Sequence, residues 1–444
     1  MGIGSFFGRL LATADASKPE GQTAPEAITP PAPTAPSAPI AAPALLQREE
    51  ILDRRNRLLG YRFSLRHSDD QPADNTEALL RAFAAADVRG FAERRLTVLP
   101  VPPSLPVQQM KPLAGKNTVF LLGNGDASPL SAAVLRPQLE AMQAAELKAA
   151  VDLSAVDDLN SLLPLLDTVF ADLRTTSLTA LPRIVSRLKT AAPALRFAAS
   201  GTASWAEKRM ADHWGFDFCL GYFPTESEAE NTQDSLDNSK ASLIILLNHL
   251  QNDDATVPEL AEVAKRDPDI TFQLLKLANS PAVGLNSPAS SIEQAIVVLG
   301  RAPLYRWLLV AMFRVGKGRD RDEALLELAL TRARFLETVA GKVLDRKGCD
   351  ELFLVGLLST LDVLLAMPLA KILSQIQVTP AVRSVLLDSE GPLARFLLLA
   401  MAMERGRAEQ AQRLANDLGI SIDTLESASL NALRWAESAM SGEA

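Results

Sequence analysis

The chain has 444 residues, 48% of them hydrophobic, which suits two packed domains and a tail rather than disorder. A net charge of −8 argues against a general nucleic-acid binder, whose affinity would rest on excess Lys and Arg. No apolar run reaches the roughly 18 residues of a spanning helix, and the only cysteines, Cys219 and Cys349, read as reduced, buried thiols of a cytoplasmic protein.

Residues 1–45 are expected to be a disordered Ala/Pro-rich tail and tether. MGIGSFFGRLLATADAS is too short in its apolar part for a signal peptide, and TAPEAITPPAPTAPSAPIAAPA holds too few large apolar residues to build a core. Phe6, Phe7, Leu10 and Leu11 form either a short amphipathic turn that touches a membrane or partner, or a frayed terminus. The second reading is preferred, because helices this short are marginal in water.

From Arg48, REEILDRRNRLLGYRFSLR predicts two strands, Ile51–Leu52 and Leu58–Leu65, joined by the polar turn DRRNR. In KNTVFLLGNGD, Phe120–Leu122 reads as a strand, and GNGD as a loop, since it lacks the Lys-Ser/Thr of a phosphate loop and the third glycine of a dinucleotide site. TESEAENTQDSLDNSK is an acidic, exposed connection, with 227–240 as the linker.

Three helix starts follow. Thr256 lies three before Glu259 with Pro258 just inside, Asp267 precedes Pro268, and Ser290 lies three before Glu293. Apolar residues recur behind each at helical spacing: Leu260, Val263 and Ala264; Ile270, Leu274, Leu277 and Ala278; Ile292, Ile296 and Leu299. Gly300 is placed to stop the last of these helices. Leu325, Leu328, Ala329, Phe335 and Leu336 mark another buried face, Arg319–Asp322 reads as a solvated loop, and closing helices run to the end with Gly419 as a C-cap.

The stretch PELAEVAKRDPDITFQLLKLANSPAVGL, then SIEQAIVVLG, Trp307 and ELFLVGLLSTLDVLLAMPLAKIL, resembles the HDOD domain. That family is all-helical, lacks the metal-binding His-Asp residues of the HD phosphohydrolases and is thought to work through protein contacts. Consistently, His67, His213 and His249 are the only histidines and none precedes an Asp, so a binuclear site of several His and Asp ligands cannot be assembled.

The earlier part resembles EAL domains, barrel-fold phosphodiesterases of cyclic di-GMP, and in particular the YuxH-like proteins that join such a domain to an HDOD domain. Gly60, Tyr61 and Arg66 match the family's second strand, but its metal-binding Glu falls on Arg62. An arginine offers only donors and a fixed positive charge, which cannot replace an oxygen ligand.

AVDLSAVDDLNSLLPLLDTVFADL resembles the family's strand-loop-helix-strand segment. Asp152 and Asp172 survive there, while Leu153 stands at the second Asp and Phe170 at the Lys. In LRFAASGTASWAEKRMADHWGFDFCLGYFP, Ala199 and Thr202 fall where acids are expected, and Leu220 where a Gln is. KNTVFLLGNGD lacks the catalytic Glu, and LTVLPVPPSL the Asn.

The expected architecture is α/β plus all-α: a degenerate, reduced EAL-type (β/α) barrel at 46–226, short of the roughly 250 residues of a complete barrel, then an HDOD domain with closing helices at 241–444. No catalytic residue, metal ligand or cofactor is assigned. Asp157–Asp158 and Asp253–Asp254 read as helix-capping pairs rather than metal or acid-base sites.

Arg62 is the one candidate ligand contact. It either holds an anion or, by preference, pairs with Asp152 or Asp172 and shuts the site. The resemblance implies an inactive regulator in the cyclic di-GMP, motility or biofilm area. Its partners would be other signalling proteins or further copies of itself, with no nucleic acid and no integral membrane segment; the alternative is a nucleotide sensor that does not hydrolyse.

Overall fold

The computed structural model describes residues 45–66, 76–123, 129–225, 238–252, 254–280, 283, 288–313 and 319–441. The tail up to residue 44, residues 226–237 of the linker region, residues 124–126 of GNGD, and Asp253 lie outside these.

Eight strands close into a barrel: β1 (Leu45–Asp53), β2 (Leu58–Arg66), β3 (Leu96–Val101), β4 (Thr118–Leu122), β5 (Lys148–Asp152), β6 (Thr168–Asp172), β7 (Arg196–Ser200) and β8 (Phe218–Leu220). The first strand runs antiparallel to both its neighbours and the rest are parallel. The reversal after β1 follows from DRRN. Asp53 Oδ1 accepts from the Arg55 and Arg57 amides at 2.8 and 2.9 Å, and Asn56 takes the left-handed φ of 64° that an Asn tolerates.

Ile51, Val98, Val119, Ala150, Phe170, Ala198, Phe218 and Leu220 fill the lumen. The alternate residues Leu99, Phe120, Val151, Val169 and Phe197 pack outward beneath the crossovers. Short strands buried on both faces explain why TVFLL and TVFAD are near-continuous apolar runs. Gly60 is required where β2 meets β3, because a Cβ there would come within 1.7 Å of the Leu96 carbonyl oxygen.

All eight strands are present, so the shortness expected of the barrel falls on its crossovers. Helices α1 (Thr76–Ala85) and α2 (Val88–Arg94) follow β2, α3 (Val107–Met110) follows β3, α4 (Ala132–Ala144) β4, α5 (Leu181–Ala191) β6, and α6 (Trp205–His213) β7. Between β5 and β6 the expected helix is replaced by two 3₁₀ segments, Leu153–Ala155 and Leu159–Leu165. Pro164 lies in the second, where its missing N–H disfavours α-helical bonding.

The helices that follow are α7 (Asn238–Gln251), α8 (Val257–Lys265), α9 (Pro268–Ala278), α10 (Ile292–Leu299), α11 (Arg301–Ala311), α12 (Arg319–Ala340), α13 (Arg346–Leu358), α14 (Leu361–Leu365), α15 (Leu369–Leu373), α16 (Pro380–Asp388), α17 (Ala394–Glu404), α18 (Ala408–Leu418) and α19 (Ile422–Ser441). Packing divides the chain into two compact units, one containing Ala241–Leu309 and the chain end from Glu437, the other Ala44–Lys240 with Val310–Ala436. The helices from Val310 to Ala436 therefore belong to the barrel's unit, a grouping that boundaries drawn along the sequence do not express.

In the first unit the capping box of α8 forms as expected, Thr256 and Glu259 bonding reciprocally. The cap of α10 is Ser291, not Ser290: Ser291 Oγ accepts from the Gln294 amide at 3.2 Å, while the Ser290 amide donates to Gln294 Oε1. Gly300 ends α10 at φ 75°, and Asn279 clasps the Ala289 backbone in both directions at 3.0 and 2.6 Å. The apolar positions named above on α8, α9 and α10 are all buried.

In the second unit, Arg319–Asp322 is the first turn of α12 rather than a loop, and Asp322 is buried, 3.9 Å from Lys240 Nζ. Gly356 lets α13 lie against Ala333 of α12, since a Cβ there would meet the Ala333 Cα at 2.4 Å. Cys219 is buried as expected, whereas Cys349 is only half-buried; both are free thiols.

Candidate functional site: the barrel mouth

Parallel barrels carry chemistry at the carboxyl ends of their strands. Beyond the lumen residues Ala150 and Phe170, period-two alternation places Asp152 and Asp172 on the same face, and it places Glu49 and Arg62 beside Ile51 and Gly60. These four residues, with Arg174 and Tyr222, make the polar mouth.

Arg62 does not pair with Asp152 or Asp172. Its partner is Glu49, directly opposite on β1: Arg62 Nε donates to Glu49 Oε2 at 2.6 Å, and Nη2 contacts the same oxygen. The antiparallel register puts the two side chains face to face at closest range, which an alignment confined to family ligand positions does not consider. At 13% and 6% side-chain exposure the pair is largely desolvated, so removing one partner would strand the other.

Asp172 is held by Arg174, whose Nε and Nη2 donate at 3.0 and 2.6 Å. Burial pushes the Asp172 carboxyl up, but the Arg174 side-chain and backbone bonds outweigh it and hold it below the usual aspartate range, with a smaller contribution from Arg62. Asp152 goes the other way. Burial raises it against the hydrogen bonds of Ser154, whose amide and hydroxyl donate at 2.9 and 2.6 Å; the charge of Asp172 adds to the rise and that of Arg62 opposes it. One surviving acid is thus neutralised by an arginine, and the other caps a 3₁₀ turn.

The remaining expected positions separate. Phe170 fills the lumen and Leu220 lies beside Ile51. Leu153 is half-buried against the core outside the lumen. Ala199 also faces outward, and the lumen residue at that end of β7 is Ser200. Thr202 is buried with its hydroxyl unbonded, and its amide donates to the Leu220 carbonyl at 3.0 Å. Gly221, at φ 152°, is demanded by a 2.0 Å approach that a Cβ would make to the Thr202 oxygen. Asp157 caps as expected, but for a helix distant in sequence, accepting from the Ala132 amide at the start of α4 at 2.8 Å.

Glu49, Arg174, Gln47 and Tyr222 were not singled out from the sequence. Gln47 Nε2 donates to the Tyr222 hydroxyl, which itself donates to the Arg405 carbonyl at 2.9 Å, and Arg66 Nε donates to Gln47 Oε1 at 2.7 Å. Burial, reinforced by the charge of Glu49, pushes Tyr222 up to about 12. The turn after α17 comes so close to Gln47 that a Cβ on Gly406 would lie 2.4 Å from its side chain. The available signal for Glu49 was its position two residues before Ile51, on the inward face of β1.

A catalytic divalent metal does not fit this mouth. Glu49 is paired with Arg62, Asp172 is committed to Arg174, and among the described residues no three His, Cys, Asp or Glu side chains gather at one point. Also among the described residues, no helix is long and apolar enough to cross a membrane.

The family model of the HDOD domain matches residues 240–386. The chain is 27% identical over 248 residues to the uncharacterized protein YuxH of Bacillus subtilis, covering 55% of this chain and 60% of the relative. To the cyclic di-GMP phosphodiesterase CdgJ of Vibrio cholerae it is 24% identical over 242 residues, covering 54% and 56%. The matched part therefore spans less than two thirds of either relative. Among solved structures, an EAL domain protein from Listeria monocytogenes is similar at 14% identity over 40% of this chain and 86% of that one, with a TM-score of 0.31, too low to transfer a site.

Proposed function

We propose that this chain, which carries an HDOD domain at residues 240–386, is a catalytically inactive regulator in cyclic di-GMP-related control of motility or biofilm. It acts in the cytoplasm through contacts with other proteins. The observation that carries the reading is the Arg62–Glu49 pair, a charge-neutral lock where two-metal hydrolysis would need a ligand. Supporting it, four of the nine exposed large apolar side chains among the described residues fall between Ile245 and Val298: Ile245, Phe272, Val297 and Val298. Exposed apolar groups concentrated on one unit are what partner binding uses.

The test is incubation of the full chain with cyclic di-GMP and Mg²⁺ or Mn²⁺. No linear product is expected, and turnover abolished by Asp152→Asn would overturn the reading. A second reading, a non-hydrolysing nucleotide sensor, is favoured by the guanidiniums of Arg62 and Arg174 at the mouth. Calorimetric cyclic di-GMP binding at micromolar level that disappears in Arg62→Ala would establish it in place of the first.

A further inference from the structure

A cavity of about 290 Å³ lies outside the barrel wall, within the unit formed by the barrel and the helices from Val310 to Ala436. Period-two alternation turns Leu46, Arg48 and Glu50 to the outer face of β1, away from Glu49 and Ile51, so this strand lends the cavity both apolar and charged lining. Phe63 of β2, with Phe335 of α12 and Met403 of α17, continues an apolar body. The volume is at the small end of the range of about 300–1,000 Å³ usual for ligand sites, which suits a molecule of modest size.

The charges bonded at its wall are matched in pairs. Arg48 donates to Glu50 Oε1 through Nε and Nη2 at 3.2 and 3.0 Å, and Arg332 holds Glu404 bidentately at 2.8 and 2.6 Å. The charge of Asp362 also acts on Arg332, so these pairs offer an anion no unmatched guanidinium. A cation would meet carboxylates that already hold guanidiniums, and an ion of either sign would leave water for a largely apolar space. One acceptor is nonetheless left over. Both bonds that Glu50 takes from another described residue end on Oε1, and the side chain is 11% exposed. Burial pushes its carboxyl up, against the charge of Arg48 and the bond from its own amide, as expected of a buried acid short of donors.

We infer that this cavity binds a small neutral amphipath, an apolar body whose uncharged head donates a hydrogen bond to the Glu50 carboxylate. Matched charges select against ions of either sign, whereas a buried carboxylate oxygen without a donor from the protein gains from one supplied by a ligand. Apolar cavities with a few convergent polar groups are the usual form of small-molecule sites. The inference is independent of the barrel-mouth reading, because no step of it uses Arg62, Asp152 or Asp172.

The experiment is calorimetry of the full chain at neutral pH with octan-1-ol, its isomer heptyl methyl ether, octanoate and octylammonium. The ether keeps the size of the alcohol but has no donor, and the other two carry a charge of either sign. Saturable octan-1-ol binding is expected, at least about threefold tighter than the ether and at least about tenfold tighter than either ion. Ser429→Phe, which fills the cavity, should weaken octan-1-ol at least about tenfold; if that variant does not fold, Met401→Trp takes its place at the same cavity. Arg48→Leu/Glu50→Leu removes both members of a pair and strands neither, and it should bring the alcohol and the ether to equal affinity. If the double variant does not fold, the comparison of alcohol and ether on the wild-type chain decides the role of the donor. Absence of saturable alcohol binding, an ether or an ion bound as tightly as the alcohol, a preference for the alcohol that survives in the double variant, or alcohol affinity unchanged in the filling variant would each overturn the inference.

Discussion

At the barrel mouth, the charged side chains standing where chemistry would be done are already engaged. Glu49 has Arg62, Asp172 has Arg174, and Asp152 has the amide and hydroxyl of Ser154. The helical unit of Ala241–Leu309 is arranged differently: the caps of α8 and α10 are formed and their apolar positions buried, yet Phe272 and Val297 are each 66% exposed. Polar groups that satisfy one another leave little for a ligand or a metal, whereas apolar groups left in water gain by being covered. The contrast sets paired charges in one part of the chain against exposed apolar groups in another, and it can be broken in several ways.

The largest effect is expected from Gly60→Val, because its Cβ would be driven into the Leu96 carbonyl. A loss above about 4 kcal/mol is expected in urea unfolding. A wild-type midpoint would mean that β2 and β3 are not held this closely, and the frame of the Arg62–Glu49 pair would then be in doubt. Next comes Glu49→Ala, which leaves Arg62 buried without its carboxylate and should cost about 3 kcal/mol. The double variant Glu49→Leu/Arg62→Leu should recover most of that loss; a single variant costing under about 0.5 kcal/mol would show that the mouth is not locked by this pair.

A smaller effect separates the two surviving aspartates by pH. Asp172 is depressed in the folded chain, so its contribution is present above the usual aspartate value of 3.8 and disappears as pH falls through the lower folded value. The stability difference between wild type and Asp172→Asn should therefore vanish at low pH, from no more than about 1 kcal/mol at neutrality, given the exposure of Arg174. Asp152 is raised, so its favourable contribution is present below 3.8 and is lost as pH rises through the folded value. Across an acid titration, the wild-type-minus-variant difference in melting temperature should change with pH in opposite directions for Asp172→Asn and Asp152→Asn, and changes of the same sign would undo the assignment.

The smallest stability effect is expected from Phe272→Ser and Val297→Ser, within about 0.5 kcal/mol by thermal melting because neither side chain is buried. Together they should reduce recovery of partners bound by the wild-type chain. Destabilisation well beyond that range would show that the two side chains are structural after all.

Local chemistry was enough to read the helical punctuation: Thr256 with Glu259, Gly300 and Gly419 act over three or four residues, so their signals are contiguous in the chain. Turn residues and short apolar runs likewise marked the β1–β2 hairpin and the strand at Phe120–Leu122. What holds Arg62 was not legible, because Glu49 reaches it through strand pairing, which is set by the register of the closed barrel. The same cause sets Ser200 inward and Ala199 outward: a one-residue shift exchanges lumen for outer face, and only the neighbouring strands decide which residue turns inward. The union of the barrel with helices more than a hundred residues downstream, through Arg95 with Glu327 at 3.0 Å and Tyr222 with the Arg405 carbonyl, likewise belongs to the tertiary structure. Contacts at such separations leave no periodicity in the sequence, since each partner looks locally like an ordinary charged or aromatic residue.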